Sequence, residues 1–187
     1  MLELIGNVLK TIEISVQWLE MKVDNENDIM NILPHLTVDY IRINSKSLLN
    51  LSNLAKLDQW RKAAELEVKG CTIMNSIQEL NLHNFQKITI TVNSISTNDF
   101  IFLKEIATKS VADIYFNIYF NHSSIDDSLY TSLPLYDRIA GIKCTWYFPT
   151  SNPEKFLEII FYYVSELVRF APIHRHSVPD YILNRLI

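Results

Sequence analysis

The segment Ile88-Thr89-Ile90-Thr91-Val92 decides the fold class, because its apolar and polar residues alternate strictly. Such alternation puts successive side chains on opposite faces of a β-strand and predicts that one face is buried. Five further segments alternate in the same way, so we expect six strands. The five segments are Leu19-Glu20-Met21-Lys22-Val23, Ile41-Arg42-Ile43-Asn44, Leu66-Glu67-Val68-Lys69, Phe116-Asn117-Ile118-Tyr119 and Ile142-Lys143-Cys144-Thr145.

The intervals between these strands indicate that helices connect them. Helix-like apolar spacing occupies residues 27–35, 48–64 and 98–109, and Asn25 and Thr97 are suitable N-caps for the first and last of these. Only three glycines occur, which leaves few positions for tight hairpin turns with positive φ. Strands joined by helices pair in parallel, so a mostly parallel sheet is expected.

The strand spacing also fits a known kind of repeat. Successive strands begin about 22 to 28 residues apart, within the range of leucine-rich repeats. Phe85, Ile88, Ile90 and Asn93 match the apolar and Asn positions of that repeat, whereas other segments match it poorly. We therefore expect an α/β fold, an irregular leucine-rich-repeat-like array with helices on one face, in a single domain over residues 1–187. A general α/β protein with similar strand spacing is the alternative.

Composition restricts the class of partner. Hydrophobic residues make up 48% of the 187 residues and the net charge is −4, as in a folded protein that does not bind nucleic acid or acidic membranes. Cys71 and Cys144 are too few to crosslink the chain, so we expect reduced thiols and a cytoplasmic or nuclear location. Met1 to Lys10 predicts an amphipathic helix rather than a leader, and no segment predicts a membrane span.

Several segments resemble one family when they are taken in order. Leu57-Asp58-Gln59-Trp60-Arg61-Lys62-Ala63-Ala64-Glu65-Leu66 resembles the Leu-x-x-Trp-x-x-Ala helix and strand of the FTH domain, found downstream of F-boxes in nematode proteins. His83-Asn84-Phe85 is similar to its His-x-Phe step, and Ile95 to Lys104 to the segment that follows. Val178-Pro179 resembles the Val-Pro near the end of that domain.

The resemblance implies a protein-binding function. In F-box proteins the F-box docks on the adaptor of a cullin-RING ubiquitin ligase, and the downstream domain is thought to hold the protein to be ubiquitylated. Residues 1–19 lack the Leu-Pro opening of an F-box, so none is expected here. Two hypotheses stay open: a substrate-binding subunit of a ligase, and a stand-alone or competitor protein with no ligase link.

Chemical motifs give little support for an enzyme or a cofactor. His174 and His176 offer two imidazoles, with only Asp180 nearby as a further ligand, so a metal-dependent tail is the weaker alternative. Cys71 and His83 fit a nucleophile and base, but Cys71 falls on the repeat's Asn/Cys position, where a buried structural thiol is expected. The glycines lie too far apart for a phosphate-binding loop. We expect no catalysis, no cofactor, no metal and no small-molecule ligand.

Strand parity predicts the binding surface. The apolar residues of each strand face the helices, and the polar residues between them face the open side of the sheet, where they bind a protein or are simply solvated. The predicted partner-binding residues are Glu20, Lys22, Arg42, Glu67, Lys69, Thr89, Asn117, Tyr119, Lys143 and Thr145.

Overall fold

The computed structural model describes residues 14–126, 129, 133 and 136–185. The strands within these residues are β1 (Ile14–Lys22), β2 (Leu36–Asn44), β3 (Glu65–Lys69), β4 (Lys87–Ser96), β5 (Tyr115–Ser124), β6 (Tyr136–Ile139), β7 (Lys143–Pro149), β8 (Lys155–Tyr162) and β9 (Leu167–His174). The α-helices are α1 (Glu26–Met30), α2 (Asp58–Lys62), α3 (Thr97–Lys109) and α4 (Asp180–Leu183). The chain divides into two compact units, Met1–Asn93 and Ser94–Ile187.

The first unit is a parallel sheet whose strands pair in chain order, β1 with β2, β2 with β3 and β3 with β4. Apolar residues of neighbouring strands stand in register, as Leu19, Ile41, Leu66 and Ile88 do. Each is buried except Leu19, which is half-buried. Side chains of the short helices, such as Trp60, are buried as well. The parallel pairing predicted for these four strands is therefore confirmed.

The helices of the first unit are shorter than predicted. The segment 27–35 contains α1 and a 3-10 turn, Leu33–His35, and the segment 48–64 contains a 3-10 turn, Leu54–Lys56, followed by α2. The start of the second segment is extended, because Leu49 makes a parallel bridge to Ile73. Extended backbone at this point leaves room for only short helical turns before the next strand.

The N-caps of α1 and α3 can be compared with the caps predicted from the sequence. The side chain of Asn25 accepts a hydrogen bond from the backbone N–H of Asp28 at 3.3 Å, which confirms the predicted cap of α1. The helix α3 begins one residue before the predicted 98, and its cap is Ser96 rather than Thr97. Ser96 and Asp99 form a reciprocal capping box, in which Ser96 Oγ accepts from the Asp99 N–H at 3.1 Å.

The second unit has antiparallel strands in the order β5-β9-β8-β7-β6, so the parallel pairing predicted for its strands was wrong. The connections from β6 to β9 are short loops, whereas a parallel crossover needs a dozen or more residues. These hairpins need little glycine. Gly141 and Glu166 adopt positive φ, and Thr150 and Asn152 close the β7–β8 loop with side-chain hydrogen bonds.

Two further predictions concern the amino-terminal segment and the most apolar stretch of the chain. The amphipathic helix predicted for Met1 to Lys10 lies outside the described residues. The densest apolar stretch, residues 156–170, contributes to β8 and β9. Among the residues that the structure describes, no helix has the length and apolar character needed to cross a membrane.

Candidate functional site

The first unit presents a sheet face made of three rows of side chains that lie opposite the apolar residues in strand parity. We call this surface the polar face. Strand register defines the rows. The amino row is Trp18, Tyr40, Glu65 and Lys87; the central row is Glu20, Arg42, Glu67 and Thr89; the carboxyl row is Lys22, Asn44 and Lys69.

Glu67 is the centre of a hydrogen-bonded network in the central row. Its carboxylate accepts hydrogen bonds from Arg42 Nε at 2.6 Å and from the Tyr40 hydroxyl, and pairs with Lys69 Nζ at 2.7 Å. Partial burial acts to raise the pKa of Glu67, but the hydrogen bonds from Lys69, Tyr40 and Arg42 outweigh burial and hold the pKa at about 2. Glu67 is therefore ionised at physiological pH.

Glu20 links the network to the edge of the described sheet. Its carboxylate accepts from Asn44 Nδ2 at 2.9 Å and lies 3.4 Å from Arg42 Nη1. Arg42 is therefore held between two carboxylates on neighbouring strands. Such a network fixes side chains in place before any partner arrives, which lowers the entropy lost on binding.

The amino row carries two neighbouring aromatic residues, exposed Trp18 and half-buried Tyr40. The rings of Trp18 and Tyr40 lie 4.2 Å apart between centroids, and the Arg42 guanidinium sits 4.7 Å from the Trp18 ring centroid. Trp18 is 53% exposed. Trp, Tyr and Arg are the residue types that most often dominate the binding energy of protein interfaces. A pocket of about 460 Å³ opens here, lined by Gln17, Trp18, Asp39, Tyr40, Ala64 and Glu65.

The carboxyl row borders a second pocket, of about 410 Å³, where three strands end. Lys22, Lys46 and Lys69 line it, and Asp24 is the one acidic residue of its lining. Within the described part of the chain, neither Lys22 nor Lys46 has a carboxylate at ion-pair distance. With three lysines and one acidic residue, the pocket carries excess positive charge.

Gly70 also lines this pocket. Its φ is +76, and a Cβ at this position would lie only 2.7 Å from the Ser45 carbonyl oxygen, so a larger residue would not fit there.

The ten predicted partner-binding residues are divided between the two units. Six of them lie together on the polar face of the first unit: Glu20, Lys22, Arg42, Glu67, Lys69 and Thr89. The other four belong to the second unit. Asn117 and Lys143 are half-buried and Tyr119 is 40% exposed.

Thr145 is not available to a partner, and its predicted exposure was wrong. It is 3% exposed, and its neighbours Cys144 and Trp146 on β7 are fully buried, because both faces of this strand are covered. Its cross-strand neighbours are Asp137 on β6 and Ile160 on β8. Strand parity separates core from surface only where one face of a sheet is open.

Sequence reasoning missed the amino row of the polar face. Trp18, Tyr40, Glu65 and Lys87 each precede a residue of the central row by two positions, so they share its parity. The predicted strands began at their first apolar residue, which cut these positions off. Extending each predicted strand by two residues toward its amino end, at unchanged parity, would have included them.

The alternative of a metal site gains no support in the described residues. The imidazole rings of His174 and His176 stack with centroids 5.3 Å apart. Among the residues that the structure describes, no group of three or more His, Cys, Asp and Glu side chains is arranged to hold a metal ion. Structural zinc needs four ligands and catalytic zinc needs three.

The two cysteines are free thiols. Cys71 is partly buried, rather than fully buried as predicted, and burial raises the pKa of its thiol. Cys144 is buried, and burial raises its pKa to about 11. A nucleophilic cysteine needs a lowered pKa, so both environments disfavour thiolate chemistry.

The apolar residues of the recognised sequence motifs lie in the interior, whereas His83 of the His-x-Phe step is exposed. Trp60 is fully buried, its Nε1–H donates to the Leu80 carbonyl at 2.8 Å, and its ring meets Phe85 edge-on at 5.4 Å. In the second unit, Val178 packs in a buried cluster with Phe156 and Ile182. These apolar motif residues therefore stabilise the fold.

Comparison with known proteins places the sequence in one family. The sequence model of the FTH domain matches residues 1–130. No curated protein and no solved structure matches the chain. The match covers more than half of the chain and includes the whole polar face.

Proposed function

The chain belongs to the FTH domain family, and from this membership we propose that it is a protein-binding domain that holds its partner on the polar face. The family suggests an F-box-associated role in protein interaction. The observation that carries the proposal is the preorganised central row, in which Arg42 and Glu67 are fixed by hydrogen bonds beside exposed aromatic and charged side chains.

The mixture of charges on this face favours a protein as partner. Glu20, Arg42 and Glu67 alternate in sign across neighbouring strands and Lys69 pairs with Glu67 along β3, which suits selection by complementary potential. A polyanion such as nucleic acid is instead bound by clustered positive charge over an extended surface. Binding, rather than catalysis, is the function that this arrangement supports, and we place it inside the cell.

Two finer interpretations form part of the proposal. The parallel, in-register succession of β1 to β4 supports an irregular leucine-rich-repeat-like array in the first unit. The FTH match supports recruitment of a substrate to a cullin-RING ubiquitin ligase, the role that the resemblance implies. A stand-alone or competitor protein that binds the same partner is the second hypothesis.

Blocking the central row tests the proposal. The variant Glu20→Lys/Thr89→Lys adds long side chains at both ends of this row and leaves the Arg42–Glu67 pair in place. The control Asp58→Lys/Gln78→Lys makes the same change in net charge at exposed positions of α2 and a 3-10 turn. Affinity capture and mass spectrometry should recover the same proteins with the wild type and the control.

The face variant should lose those proteins while its circular dichroism and thermal midpoint stay close to those of the control, because Glu20 is exposed, Thr89 is half-buried, and substitutions at such surface positions cost little stability. Equal capture by a folded face variant would refute the proposed binding site. Depletion of the protein then separates the two hypotheses. A captured partner that accumulates supports ligase recruitment, and one whose abundance and half-life stay constant supports the stand-alone protein.

A further inference from the structure

The polar face has a pocket at each end of the same three strands, and the two pockets differ in chemistry. The pocket at the amino row has aromatic walls from Trp18 and Tyr40. The pocket at the carboxyl row is bordered by Lys22, Lys46 and Lys69. A partner that fills both must therefore present two different kinds of side chain.

We propose that the polar face binds an extended segment of a partner protein, with an apolar side chain in the pocket at the amino row and acidic side chains in the pocket at the carboxyl row. This rests on the proposed protein-binding function and adds the chemistry and spacing of the partner.

Charge balance selects acidic side chains for the carboxyl pocket. Lys46 and Lys22 have no ion-pair partner within the described residues, and Lys69 shares its charge with Glu67. Asp24 offsets one of the three positive charges. Carboxylates of a partner would give the lysine ammonium groups charge-assisted hydrogen bonds, which are stronger than those between neutral groups.

The neighbours of Trp18 select an apolar side chain for the amino pocket. The Arg42 guanidinium already lies against the Trp18 ring, so a second cation would be repelled by it. Of the two acidic residues of this pocket, Glu65 is paired with Lys87 Nζ at 2.7 Å, and Asp39 is exposed, so that solvent and salt screen its attraction for a cation. An apolar side chain gains from burial against the exposed aromatic surface without removing a charge from water.

Strand geometry sets the spacing between the two groups. Trp18 and Lys22 lie four residues apart on β1, on the same face. At roughly 3.3 Å per residue this distance is about 13 Å along the strand. An extended peptide spans the same distance in four residues, so the apolar and acidic residues of the partner should be about four positions apart.

Selection from a phage library of random dodecapeptides tests this specificity with the full chain. The wild type should enrich peptides with an apolar residue about four positions from two or more acidic residues. Lys22→Glu/Lys46→Glu should bind a synthetic copy of an enriched peptide at least about tenfold more weakly, because attraction becomes repulsion. Lys56→Glu/Lys62→Glu, with the same charge change at exposed helical positions, should bind it like the wild type.

Tryptophan fluorescence locates the apolar end of the peptide. Of the three tryptophans in the chain, Trp60 and Trp146 are fully buried, so acrylamide quenching reports mainly on Trp18. The synthetic peptide should protect Trp18 from quenching, and replacing its apolar residue with serine should remove the protection.

Enrichment of basic peptides, or equal binding by the two lysine variants, would overturn the acidic specificity. Unchanged quenching of Trp18 would overturn the apolar end. Failure of these tests is distinguishable from failure of the proposed function, because partner capture is measured with different substitutions, at Glu20 and Thr89. If Glu20→Lys/Thr89→Lys loses partner capture but the phage selection enriches no acidic peptides, the polar face would remain the binding site, and the acidic and apolar chemistry that we assign to the partner would be wrong.

Discussion

At the scale of single residues, Glu67 shows how the stability of the fold and the arrangement of the polar face depend on one another. Its side chain is 15% exposed, yet it receives hydrogen bonds from Lys69, Tyr40 and Arg42. A carboxylate this shielded stays charged only because its donors remain in place. Removing Arg42 or Lys69 would therefore perturb the fold as well as the polar face, which is why both are retained in the variants that test binding.

Glu67 should make stability depend on pH in acid. Its pKa in the folded chain is about 2, below the ordinary 4.5, so its contribution is present above pH 4.5 and is lost as the pH falls toward 2. The contribution is at most about 3 kcal/mol. Urea denaturation of the wild type and Glu67→Gln at pH 7 and at pH 3 should show a smaller difference between them at pH 3. A difference that is constant with pH would contradict this.

At the scale of secondary-structure elements, the capping box of α3 sets where the longest described helix begins. The sequence predicted Thr97 as the cap, and the observed cap is one residue earlier. Both residues are hydroxylic and both precede acidic Asp99, so the sequence pattern did not separate them. The Ser96 backbone is extended, at φ −109 and ψ 167, which is the conformation of an N-cap.

Ser96→Ala should lower the free energy of unfolding by about 1 kcal/mol, because it removes the acceptor of the Asp99 N–H. Thr97→Ala, at the cap predicted from sequence, should cost about half as much or less, since the hydrogen bond that Thr97 Oγ1 accepts within the described residues, from the Asp126 N–H, is long at 3.3 Å. Thermal and urea denaturation of both variants would measure this. A larger loss for Thr97→Ala would assign the cap to Thr97.

Elements of the first unit were predictable because one face of its sheet is open. Residues such as Ile41 and Arg42 alternate in burial as they do in polarity, so the pattern identified both the strand and the side on which each residue lies. The second unit gave weaker signals. In β8 five of the six residues from Phe156 to Phe161 are buried and Glu158 is half-buried, so no clean alternation exists to predict a strand.

At the scale of the whole molecule, the two units use different strand connections. The first has parallel strands separated by turns and short helices, and the second has antiparallel hairpins. Each unit contains one cysteine, Cys71 in the first and Cys144 in the second. The two thiols therefore report separately on the opening of each unit.

A thiol reagent at pH 8 should label Cys71 first in the folded chain, and Cys144 only when the second unit unfolds. Burial raises the pKa of Cys144 to about 11, and the side chain is 0% exposed, whereas Cys71 is partly exposed. Mass spectrometry of the labelled protein across a urea series would follow both sites, with Cys71→Ser as the single-thiol control. Equal rates for the two thiols in the absence of urea would contradict the prediction.

Alternate residues of β1 to β4 face the interior and the surface, and this division affects how the protein can evolve. A mutation at Lys22 or Thr89 alters the surface presented to other molecules, whereas the interior depends on neighbours such as Met21 and Ile88. Natural selection can therefore change the exposed rows one codon at a time while the buried scaffold persists. Relatives that diverged in this way would share buried residues and differ most along the exposed rows.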